Sequence, residues 1–155
     1  MTERSRSITH ATFVVERTYP VAPARVFAAW ADPTIKATWF GEPGENKSDT
    51  IEFDFRVGGR EFNSGKAPNG QSYSYDARYQ DIVPDQRIVY TYEMHLDEAR
   101  ISVSLATVEL VPAGAETRMT VTEHGAYLDG LDTPAAREEG TNWLLDQLGE
   151  ALKRQ

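Results

Sequence analysis

The sequence predicts an α+β domain in which a curved antiparallel sheet wraps around one long C-terminal helix. Two observations carry this. The apolar period is near 3.6 residues close to both ends of the chain and 2 between about residues 51 and 124, where turn-forming residues recur at short intervals. A sheet with one polar face also has an apolar face that must be covered, and only the last helical segment is long enough to cover it.

The elements follow in order. Residues 1–11 are polar and read as a flexible N-terminal segment, ahead of a single domain over 12–155. Residues 12–20 alternate as a strand, with Phe13, Val15 and Tyr19 on one face. Pro20 and Pro23 end it, and Pro23 opens a short helix carrying Val26, Phe27 and Trp30. Asp32-Pro33 starts a second short helix, expected to run to about Phe40 before Gly41-Glu42-Pro43 breaks it. Ile51, Phe53, Phe55 and Val57 then alternate with polar residues, and Gly58-Gly59 supplies a hairpin turn. A strand over 60–65 ends at Ala67-Pro68-Asn69-Gly70. Strands over 72–82 and 87–95 meet at Pro84-Asp85, and strands over 100–111 and 116–124 meet at Pro112-Ala113-Gly114. After Thr133, a capping residue followed by Pro134, one helical stripe holds Ala136, Gly140, Trp143, Leu144, Gln147, Leu148, Ala151 and Leu152.

Composition narrows the chemistry. The chain has 155 residues, enough for one domain with its own core. With no cysteine there is no disulfide framework, thiolate metal site or cysteine nucleophile. Sixteen basic against 24 acidic residues give a net charge of −8, which argues against nucleic acid or an anionic membrane as partner. No apolar run suits a signal peptide or a bilayer span, so the cytoplasm is the expected location. Gly58-Gly59 and Gly65-Lys66 lack the spacing of phosphate-binding loops, and Ser64 lacks the flanking glycines of a nucleophile elbow. His95, Asp97 and Glu98 fall where a hairpin turns and read as a solvated loop, so neither a metal nor a cofactor is expected.

Specific stretches resemble a known family. ERTYPVAPARVFAAWADP (16–33), WFG (39–41), RVGGREF (56–62), YQDIVPDQRIVYTYE (79–93), ETRMTVTEHG (116–125) and GTNWLLDQL (140–148) occur in register. They are similar to the branch of the START-like (SRPBCC, birch-pollen-allergen) superfamily named for homologues of a heat-shock chaperone ATPase activator. Thr141 and Trp39-Phe40 stand where many relatives have a tryptophan and a tryptophan pair. The resemblance implies the helix-grip fold and often a cavity between sheet and helix. Some relatives carry polyketide-cyclase-like labels and others only the co-chaperone name, so no single activity follows.

The tyrosines carry the most information about a site. Five of seven, at 73, 75, 79, 90 and 92, lie on two strands that pair across one turn. A dry core favours Phe or Leu, because each buried hydroxyl needs a partner; inward tyrosines suit a partly wet cavity. The expected ligand-binding set is Phe40, Phe53, Phe55, Phe62, Tyr75, Tyr90, Tyr92, Met119, Trp143, Leu144 and Gln147. Arg17 and Glu123 share parity with apolar neighbours, and the pairing of one with the other is the simplest way to bury both. Glu123 or His124 is the candidate acid or base should the cavity catalyse. Three functions remain open: binding of a small apolar or aromatic ligand, a cyclase- or isomerase-like reaction, and stimulation of a chaperone ATPase. A homodimer is compatible with each.

Overall fold

The computed structural model describes residues 6–41, 49–67 and 69–154. The expected break at Glu42-Pro43, Pro68 of the second turn and residues 1–5 lie outside them. The chain runs β1 (Ile8–Tyr19), α1 (Pro23–Ala31), α2 (Pro33–Lys36), β2 (Asp49–Phe53), β3 (Arg60–Lys66), β4 (Ser72–Val83), β5 (Arg87–Leu96), β6 (Ala99–Ala113), β7 (Glu116–Leu128) and α3 (Pro134–Lys153). One seven-stranded sheet has the order β1-β7-β6-β5-β4-β3-β2, antiparallel throughout. This is the α+β helix grip: the sheet curves around α3, and the two short helices follow the first strand.

Four expectations shift. β1 begins at Ile8, so residues 8–11, expected to be flexible, pair with Gly125–Leu128. α2 stops at Lys36, because Ala37–Trp39 continue as turns. β2 ends at Phe53, which leaves Phe55 and Val57 in the loop leading to β3. A register shift between Thr50 and Glu52 turns Ile51 outward, where it is exposed.

Local chemistry fixes the frame. Gly59 sits where an added Cβ would lie 2.0 Å from the carbonyl oxygen of Asp54, so only glycine closes this turn. Asp32 caps α2 by accepting from the backbone N–H groups of Thr34 and Ile35, and Thr133 caps α3 by accepting from that of Ala136. The core lies between α3, α1 and the concave sheet face, around Val26, Ile88, Val108, Met119, Leu145 and Leu148. Fully burying a side chain of this kind contributes about 1.5–3 kcal/mol.

Polar bonds then set the height of the helix above the sheet. The Tyr19 hydroxyl donates to the Leu145 carbonyl at 2.7 Å, and Arg17 reaches Asn142 and Asp146 at 2.8 and 3.2 Å. Arg17 therefore pairs with α3 and not with Glu123, from which the register separates it: Phe13 stands opposite Glu123, and Arg17 opposite Met119. The C-terminal half of α3 is the half that seals the core, with Leu145, Leu148, Ala151 and Leu152 buried.

Candidate functional site: a cavity under the first half of the C-terminal helix

Towards its N-terminus α3 does not close on the sheet. Ala136, Gly140 and Trp143 are exposed, the last to 38%, and with Thr141 and Leu144 they line a cavity of about 620 Å³. The opposite wall comes from the sheet through Asn63 of β3, Tyr73 and Tyr75 of β4, Tyr90, Tyr92 and Met94 of β5, Ile101 of β6, and Val121 and Glu123 of β7. Trp30, Trp39 and Phe40, brought in by α1 and the turn after α2, close one end.

The aromatic wall is continuous. Phe40 meets Tyr75 edge-on with ring centroids 5.1 Å apart, Tyr75 lies 4.9 Å from Tyr92, and Trp30 packs 4.9 Å from Trp39. Burial pushes the hydroxyls of Tyr75, Tyr90 and Tyr92 well above the ordinary tyrosine range, so they act as neutral donors and acceptors at physiological pH.

Two buried polar clusters support the wall. In the first, the Tyr92 hydroxyl donates to Oε2 of Glu123 at 2.8 Å and accepts from Nη1 of Arg137 at 3.0 Å. Nη2 of Arg137 donates to Ser102 and Asp132 at 2.8 and 2.7 Å. Arg137, only 9% exposed, thus ties α3 to β5 and β6 across the cavity end. Burial raises the Glu123 carboxyl above the ordinary glutamate value, against the opposing pull of Tyr92, Arg137 and Ser104. In the second cluster, Oε1 of Glu61 accepts from Lys36 at 2.7 Å and from Tyr79 at 2.6 Å, while its Oε2 accepts from Asn63 at 3.2 Å. The Lys36 ammonium lies over the Phe40 ring, 4.5 Å from its centroid, and is paired and enclosed.

Of the residues expected at a site, Phe40, Tyr75, Tyr90, Tyr92, Trp143, Leu144 and Glu123 line the cavity. The others stand elsewhere. Phe53 and Phe55 stack with each other beside Tyr79, outside the cavity wall. Met119 is fully buried in filled core, and Gln147 is half-buried on α3 beyond the cavity. Phe62 is on the outer face beneath the Arg60 guanidinium, because Glu61 and Asn63 take the inward positions of β3. His124 is exposed on the outer face, within 2.9 Å of the Thr12 hydroxyl. Asp97, in the β5–β6 turn, accepts from the Ser72 backbone N–H and from the Gln71 side-chain amide at the start of β4.

Sequence reasoning missed Arg137, Asn63 and Trp30. For Arg137 a signal existed: it falls on the same helical face as Gly140, Thr141 and Leu144, where an arginine turned inward needs acceptors. Nothing in the local pattern marks Asn63 as inward, since Phe62 is the apolar residue there.

Comparison with known proteins agrees with this architecture. A family profile described as Activator of Hsp90 ATPase homolog 1-like protein matches residues 20–153. No curated protein matches the chain at a significant level. Among solved structures, an uncharacterised protein from Rhizobium leguminosarum is 44% identical over 97% of this chain and 99% of its own, with a TM-score of 0.90. A protein from Rhizobium loti is 46% identical over 94% of this chain and 99% of its own, with a TM-score of 0.85. One from Chromobacterium violaceum is 27% identical over 91% and 96%, with a TM-score of 0.79. No helix among the described residues is long and apolar enough to cross a membrane. The chain belongs to the Activator of Hsp90 ATPase homolog 1-like family, within the START-like (SRPBCC) superfamily.

Proposed function

We propose that this protein binds a small apolar or aromatic molecule between the sheet and the first half of α3. The observation that carries the reading is the cavity itself: about 620 Å³, walled by tryptophan, tyrosine and phenylalanine rings with a few fixed polar groups. That size and mixture suit a ligand of drug-like dimensions. Native mass spectrometry of the purified protein, compared with its denatured mass, tests it. Loss of a discrete bound mass on denaturation is the expected result; failure to take up any aromatic ligand, co-purified or added, contradicts it.

One observation favours a second reading, an isomerase- or cyclase-like reaction. Glu123 is a cavity carboxyl with a raised pKa, bonded to a tyrosine hydroxyl, which is the environment of a general acid or base. Turnover of a bound carbonyl compound that disappears in Glu123→Gln with binding intact supports it. The activity in the family's name, stimulation of a chaperone ATPase, is checked on the same protein by an ATPase assay. A homodimer would use the outer sheet face, where Val14, Val103 and Leu105 are exposed, and sedimentation velocity reads it directly.

A further inference from the structure

The cavity opens along one ridge of α3. Of its lining residues, the exposed ones are Ala136, Glu139, Gly140 and Trp143, three or four positions apart in each turn and so on one side of the helix. Ala136 and Gly140 leave the passage wide, and an added Cβ at Gly140 would meet no atom within 4 Å. Glu139 is the one charged residue on this ridge, and among the described residues it takes part in no hydrogen bond or ion pair. Trp143 follows it by four positions, which makes the carboxylate and the exposed indole neighbours across one turn. A free carboxylate beside an open aromatic ring suits an organic cation, which the charge attracts and the ring face holds.

The charges behind the mouth lean the same way. Glu123 and Asp132 also line the cavity, and its lining includes one cationic side chain, Arg137. That guanidinium is engaged by Tyr92, Ser102 and Asp132, and the N-terminus of α3 is capped by Thr133. An anionic ligand would meet three carboxyl-bearing side chains with no free cation to receive it, which selects against it. The net charge of −8 steers cations towards the molecule as a whole.

Resting on the cavity being a binding site, we propose that its preferred ligands are aromatic molecules bearing an ammonium group. The rings lie against the tyrosine wall, and the ammonium stays at the mouth between the Glu139 carboxylate and the Trp143 indole. There the cation keeps part of its hydration, so the cost of burying a charge is not incurred.

Calorimetric titration of the wild-type protein at neutral pH and low salt with 2-naphthylmethylammonium, 2-naphthylmethanol, 2-naphthol and 2-naphthylacetate separates charge from ring binding. The ammonium and the methanol share one ring system and one linker, so their ratio reports the charge. The expected result is the ammonium bound at least about fivefold more tightly than the methanol, the scale of one exposed cation–ring and ion contact, with the acetate weakest. Raising the salt to about 0.15 M, where the Debye length is ~8 Å, should shrink that ratio. Glu139→Gln should lower it at least about threefold with the methanol affinity unchanged. Glu138→Gln removes the same charge from an exposed position of α3 outside the cavity lining, and should leave the ratio as in wild type. Equal affinity for ammonium and methanol, tighter binding of the acetate, a ratio that survives Glu139→Gln, or one that falls equally in Glu138→Gln overturns this proposal and leaves the aromatic cavity standing. No binding of any of the four overturns both.

Discussion

At the scale of single residues, the cavity depends on polar groups placed where an apolar pattern would put hydrocarbon. Glu123 is the clearest case. Its carboxyl is raised by burial, so the folded protein holds a proton that the unfolded chain has released above the ordinary glutamate value of about 4.3. Folding stability from this group is therefore greatest below that value and falls as pH rises through the folded pKa. Glu123→Gln, which keeps an acceptor for Tyr92, removes the dependence. In urea titrations from pH 4 to 7, the stability of the variant relative to wild type should rise with pH. Asp76, held below its ordinary value by Arg60, pulls the opposite way in both proteins and cancels from the difference. A difference that does not change with pH would show that Glu123 titrates as if solvated. Tyr75, Tyr90 and Tyr92 were legible because strand parity and hydroxyl chemistry agree. Phe62 was misplaced because parity was assigned from the largest apolar side chain, whereas Glu61 is drawn inward by Lys36, 25 positions earlier in the chain.

At the scale of elements, the short segments position the aromatic end of the cavity. α2 is a four-residue helix held by the Asp32 cap, and it delivers Lys36 to Glu61 and the following turn delivers Trp39 and Phe40 to the cavity wall. Asp32→Ala should lower folding stability by about 1 kcal/mol, the ordinary cost of losing such a cap, and should weaken aromatic-ligand binding as Trp39 and Phe40 lose their fixed position. Unchanged stability in urea titration would show that the Pro33 start suffices. The boundaries of the long strands and of α3 were legible to within a few residues because turn chemistry brackets them: Asp85 and Gly114 both take positive φ, at 64° and 66°. β2 was not, since its bulge reverses the parity that Ile51 and Phe53 share in sequence. Gly149 was equally silent, yet its missing Cβ lets Tyr19 approach α3; an added Cβ would lie 3.2 Å from the Tyr19 ring.

At the scale of the molecule, α3 is two devices in one helix. Its C-terminal half seals the core with leucines, and its N-terminal half stands over a cavity, tied down by Arg137. The fold was legible from the change in period along the chain. The division of α3 was not, because the residues facing the cavity and those facing the core form one stripe in the sequence. Gly140 gives the most direct test of that division. It faces open space, with no atom within 4 Å of an added Cβ, and it lines the cavity from a helical position where glycine costs up to about 1 kcal/mol relative to alanine. Gly140→Leu should therefore fold at least as stably as wild type while its side chain occupies the ligand's volume. The measurement is the affinity of Gly140→Leu for 2-naphthol beside its urea midpoint. The account predicts at least about tenfold weaker binding with an equal or higher midpoint; unchanged affinity in a stably folded variant would contradict it.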